Sequence, residues 1–157
     1  MKAVWTAQYN LVQGSRAVLF DYCDTITPAH FVAENTGFGR GGSIRNLLVH
    51  NGHVYRFWIG QHAFGREMLY PGYDSIVTVQ DCRTFYTAIN ELVEEFIHRF
   101  ADTPDVLLTS VRDNQPTSAS ALEVFTHVIT HEFHHKGQML SISRQLGYTP
   151  VDTDIIR

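Results

Sequence analysis

The sequence predicts an all-α fold, a four-helix bundle with one long crossover connection, and three observations carry that reading. Apolar residues recur at three-and-four spacing through four long segments. Helix start and stop residues bracket those segments, and at least one connection is too long to join neighbouring antiparallel helices directly. The 157 residues, 44% hydrophobic and 18% charged, match one packed domain over 1–157, and the composition is neither that of a disordered chain nor that of collagen.

The first helix is expected over about 4–26, where Trp5, Tyr9, Val12, Leu19, Cys23 and Ile26 keep the helical period and Thr27-Pro28 supplies a stop. The glycines of TGFGRGG (36–42) mark a loop. Ser43 sits where an N-cap belongs, before Ile44, Leu47, Leu48, Val54, Phe57 and Trp58, so the second helix is placed at roughly 43–62. Residues 64–78 hold Pro71-Gly72 and no sustained period, which makes them the long connection, with Asp81 as cap of the next helix. That third helix, about 82–101, carries Phe85, Ile89, Leu92, Phe96 and Phe100. DVLLTSVRD reads as a short extended piece before the polar loop NQPTSAS, with room for a minor hairpin. The fourth helix runs from Ser118 or Ser120 to Leu146, with Gly147 and Pro150 as stop signals.

The formal charge of -4 and the scattered Lys and Arg residues give no field for phosphate backbones, so direct nucleic-acid binding is not expected. The amino terminus lacks the unbroken apolar core of a signal peptide and no segment is apolar enough to span a membrane, which points to the cytoplasm. The two cysteines, Cys23 and Cys82, lie far apart in helical segments and read as small packing residues in a reducing compartment, not as a disulfide framework. Nine histidines are a high count for this length.

The helical period gives two positions of a core stripe on the fourth helix, with Val124, Val128, Ile142 and Leu146, to His131 and His135. Residues at i and i+4 share a face, so both rings can reach one ion. On the second helix His50 falls in line with Leu47, Val54 and Phe57 and also points inward. Three converging imidazoles are costly to bury unless something satisfies their nitrogens, and a divalent metal does so. His127, one turn before His131, could substitute as a ligand or donate from behind, and His53, one turn after His50, could compete with it. His134 is rotated by about 100° from His135, while His30, His62 and His98 read as solvated.

His131-Glu132-Phe133-His134-His135 satisfies the H-E-x-x-H pattern of zinc proteases, in which the Glu is a general base. The longer version of that pattern needs Gly at 138 and His at 141, where this chain has Gln138 and Ser141, and no Glu follows Glu132.

HVITHEFHHKGQMLSISRQLG, followed by Pro150 and Asp152, resembles the carboxy-terminal helix of the DinB-like family of metal-dependent enzymes. GSIRNLLVHNGHVYRFWI is similar to that family's second helix, and QYNLVQGSRAVLFD more loosely to its first. The resemblance implies an up-down-down-up four-helix bundle, a homodimer, DNA-damage-inducible expression as a stress response, and one nickel, zinc or similar ion. Position by position it puts the ligands at His50, His131 and His135, where the periodicity also puts them. Exposed aromatics expected around the first helix would serve the dimer.

Three neutral imidazoles without a thiolate suit zinc, nickel, cobalt or ferrous iron, and three protein ligands leave coordination positions open, as catalytic sites do. Two mechanisms on a small-molecule substrate follow. In one, the metal lowers the pKa of a low-molecular-weight thiol, which attacks an electrophile. In the other, metal-bound hydroxide attacks an ester or amide with Glu132 or His134 as base. The resemblance favours the thiol S-transferase. The remaining reading is a metal-binding module without catalysis.

Overall fold

Helices form where the apolar spacing places them, and their ends are set by capping side chains. The structure, a computed structural model, describes residues 1–34, 37–38, 42–112 and 114–157, so most of the expected glycine loop at 36–42 lies outside the described residues. Helix α1 (Lys2–Cys23) buries Trp5, Tyr9, Val12, Leu19 and Cys23 along one face. It stops short of residue 26, and Thr27-Pro28 opens a one-turn helix, α2 (Pro28–Phe31), because a proline is well suited to the first turn, where it has no hydrogen bond to lose. The aromatics of α1 are not exposed as expected. Trp5, Tyr9, Phe20 and Tyr22 are all buried, and the large apolar side chains it shows to solvent are Met1, at its cap, Val4 and Leu11.

Ser43 caps α3 (Ile44–Tyr55) by accepting from the Asn46 N–H at 2.9 Å. The expected helix over 43–62 continues as a different structure, a π-helical segment at Arg56–Ala63 that widens the turn and re-aims the side chains beyond Tyr55. In the connection that follows, Arg45 Nη1 donates to the carbonyl oxygens of Tyr73 (2.8 Å) and Ile76 (3.2 Å) and holds a 3-10 turn at Tyr73–Ser75. Helix α4 (Val79–Phe100) is capped by Thr78, not Asp81. Thr78 Oγ1 accepts from the Asp81 N–H (3.0 Å) and the Asp81 carboxylate accepts from the Thr78 N–H (2.9 Å), so Asp81 closes a capping box from the third helical position.

The minor hairpin is present, with β1 (Leu107–Arg112) antiparallel to β2 (Gln115–Ser120), Leu107 opposite Ser120 and Arg112 opposite Gln115. NQPTSAS is therefore a turn residue, Asn114 at φ +60°, and a strand, not a loop. A strand made of Ser, Thr, Ala, Gln and Pro has no apolar face, so alternation leaves no trace of it in the sequence. Ser120 ends β2 and caps α5 (Ala121–Gln145) in a second capping box with Glu123, and Gly147, at φ +91°, follows its end.

Helix α3 packs on α5 and α4, while α1 packs on α4 and α5. Where α3 meets α4, a Cβ built on Gly52 would fall 2.1 Å from Phe85 Cε1, so only glycine permits this approach. Trp5 stacks on Phe125 with centroids 4.6 Å apart, joining α1 to α5. The described residues are thus mostly helical, with one small sheet beside the π-helical segment. Among them, no helix is long and apolar enough to cross a membrane.

Candidate metal centre

The packing of α3 on α5 brings together the three histidines that the period and the resemblance select. His50 comes from α3, and His131 and His135 from successive turns of one face of α5. One nitrogen from each ring lies within 4.8 Å of the others. His131 Nε2 stands 3.2 Å from His50 Nε2, near the separation of about 3.3 Å that tetrahedral geometry gives two nitrogens at metal–nitrogen bonds of about 2.0–2.1 Å. The His135 ring completes the cluster, its centroid 4.5 Å from that of His131 and 4.9 Å from that of His50. All three are half-buried.

Gln138 orients part of this group. Its Oε1 lies 2.5 Å from His135 Nδ1, an arrangement in which Nδ1–H donates and Nε2 keeps its lone pair for a ligand. Gln138 Nε2, at 3.4 Å, donates to His134 Nε2, which links the exposed His134 to the cluster through one side chain. Among the described residues, the metal-capable group holds neither His53, His127 nor His134. His53 Nε2 is 3.0 Å from the Pro71 carbonyl oxygen, to which it donates, and His127 lies against Trp58 with centroids 5.1 Å apart. His30 is half-buried beside Tyr148, and His98 is exposed and accepts at Nδ1 from Lys2 Nζ. His62, expected in solvent, is buried, with Nδ1 2.5 Å from Ser110 Oγ of the hairpin that covers it, and burial holds its pKa below the usual histidine value.

From His131 to Lys136 of α5 the buried positions are not the histidines but Glu132 and Lys136, each 2% exposed. Glu132 faces α1. Its two oxygens accept from Arg16 Nε and Nη2, both at 2.8 Å, and Oε2 also accepts from Tyr55 Oη at 2.7 Å. Arg16 Nη1 and Tyr9 Oη donate to Asn90 Oδ1, both at 2.8 Å, and extend the network to α4. Burial works against the Arg16 charge, but the paired Glu132 carboxylate outweighs it and keeps the guanidinium pKa well above its ordinary value. The same burial, with the Glu132 charge beside it, pushes the Tyr55 hydroxyl upward. Both oxygens of the H-E-x-x-H glutamate are therefore engaged, by Arg16 of α1 and by Tyr55 at the end of α3. Lys136 Nζ donates to Ser15 Oγ and, at 3.2 Å, to the Thr153 carbonyl oxygen, and burial lowers its amine pKa to about 8.

Arg16, Tyr55 and Gln138 are absent from the residues selected by sequence. Arg16 does carry a signal, since it continues the buried series Val12, Leu19, Cys23 at helical spacing, and a charged residue in such a series calls for a partner. The DinB family model matches residues 1–157, the whole chain. This chain belongs to the DinB family. No curated protein matches it. In this DinB-family chain a small cavity of about 280 Å³ opens beside His50, between the wall formed by α3 with the π-helical segment and the 64–78 connection. The donor set, three imidazoles with no thiolate or carboxylate, fits a divalent ion such as zinc or nickel.

Proposed function

We propose that this DinB-family protein is a metal-dependent enzyme that transfers a low-molecular-weight thiol to an electrophilic small molecule, with one nickel or zinc ion held by His50, His131 and His135. The observation that carries the reading is the convergence of three imidazole nitrogens within 4.8 Å. Three protein ligands leave room for a substrate atom, and a bound ion would supply stabilisation of a thiolate at neutral pH. The chain's own residues do the rest. Gln138 holds the His135 ring in the tautomer that presents Nε2, and the Arg16–Glu132–Tyr55 network fixes the turn of α5 between the two ligands. Glu132 is assigned to that positioning role, and exposed His134 is the better candidate for accepting a proton.

The engagement of Glu132 favours thiol transfer over a hydrolase of the H-E-x-x-H kind, which would draw on that carboxylate as base. With the family come the up-down-down-up bundle over 1–157 as a single domain, a homodimer, and a cytoplasmic stress-response setting, all part of the same proposal. The test is a screen of the nickel- and zinc-loaded protein against electrophiles with and without small thiols. Turnover that requires the thiol supports the transferase. Turnover of esters or amides without any thiol would replace it with the hydrolase, and no turnover at all would leave a binding module.

A further inference from the structure

We infer that the cavity beside His50 selects an uncharged, flat aromatic substrate, and so receives the electrophile. As a substrate pocket it rests on the enzyme reading above, but its ligand preference follows from its walls. The α3 and π-helical side contributes His50, His53, Phe57 and Trp58, with the Phe57 and Trp58 rings edge-to-face at 5.2 Å. The opposite side is Tyr70 and Tyr73 from the 64–78 connection. His53 lies between the two walls, stacked near Tyr73 at 5.9 Å and edge-on to Tyr70 at 5.4 Å.

This connection is tied down. The Pro71 carbonyl oxygen accepts from His53, Tyr70 Oη donates to Gln61 Oε1 at 2.9 Å, and Arg56 Nη1 donates to the Leu69 carbonyl oxygen. The aromatic walls are therefore set before a ligand arrives, and little conformational freedom is lost on binding. Among the described residues that line the cavity there is no Asp, Glu, Lys or Arg. The nearby Arg56 guanidinium is engaged by Leu69 and lies 4.7 Å above the Phe85 ring. In the metal-free protein a carboxylate entering this space would shed water and gain no Lys or Arg from the lining, whereas a flat ring gains contacts with the aromatic side chains.

Calorimetric titration of the full chain with 2-naphthamide and with 2-naphthoate, two probes of one ring system that differ in charge, tests this directly. In metal-free protein at pH 8 the amide should bind at least about tenfold more tightly than the carboxylate. Tyr70→Ala should weaken the amide by about tenfold, and Tyr70→Phe, which keeps the ring, by less than about twofold. Tyr70 is 41% exposed, so neither substitution disturbs the core. Equal or tighter binding of the carboxylate, no detectable binding of the amide, or indifference to Tyr70→Ala would overturn the proposal. A repeat with one equivalent of zinc separates the two claims. Amide binding in a protein that takes up no zinc would sink the metal-enzyme reading while leaving the pocket assignment standing.

Discussion

At the scale of single residues, the decisive arrangement is the pair that shares a turn of α5, His131 turned toward α3 and Glu132 turned toward Arg16 of α1. Breaking one half of a buried ion pair strands the other charge, so Arg16→Ala should lower stability by about 3–5 kcal/mol, measured by urea unfolding. Glu132→Gln should also destabilise the fold yet leave one ion bound per chain, and loss of the metal in a folded Glu132→Gln protein would contradict its structural role. The cysteines make a second residue-scale case. Burial raises both thiol pKa values, Cys82 to about 12 and Cys23 further, so neither is a thiolate at neutral pH. Iodoacetamide at pH 8 should label them only after unfolding, and rapid labelling of the native protein would show that one is accessible. The packing role of the cysteines is legible from their helical spacing. The burial of Glu132 and Lys136 is not, because charged side chains are rarely interior and their partners Arg16 and Ser15 lie more than a hundred positions away in sequence, on α1.

At the scale of elements, the long helices follow from three-and-four spacing, and two of their four starts carry a capping box, Thr78 with Asp81 and Ser120 with Glu123, where the sequence alone points to Asp81 as the cap itself and leaves Ser118 and Ser120 both open. The His50 and His131–His135 faces are legible for the same reason, since ligands in a helical core obey the helical period. Three features escape that logic. The π-helical segment at Arg56–Ala63 holds a single glycine, Gly60, and no proline, which a regular helix also tolerates, β2 has no apolar face, and the inward turn of His62 depends on the hairpin that covers it. The close approach of α3 to α4 gives a test at this scale. Gly52→Ala forces a methyl group into Phe85 and Ile89 and should cost about 1–3 kcal/mol by overpacking, seen as a lower denaturation midpoint. An unchanged midpoint would mean that the two helices stand further apart.

At the scale of the whole molecule, α1, α3, α4 and α5 close around one apolar cluster while the histidine centre sits at its edge, where α3 and α5 meet and a cavity gives access. The dimer proposed from the family has a simple check. Light scattering at micromolar concentration should return about twice the mass of one chain, and a monomer would remove that part of the reading. The central claim is that His50, His131 and His135 together hold one divalent ion, and the most direct test is metal titration of the untagged chain and its single-histidine variants. The account predicts one nickel or zinc ion per chain, affinity reduced by more than about a hundredfold in His50→Ala, His131→Ala and His135→Ala, and by no more than about tenfold in His53→Ala and His134→Ala. A chain that binds no ion, or one stripped by His53→Ala or His134→Ala while His50→Ala or His135→Ala still holds it, would contradict the account.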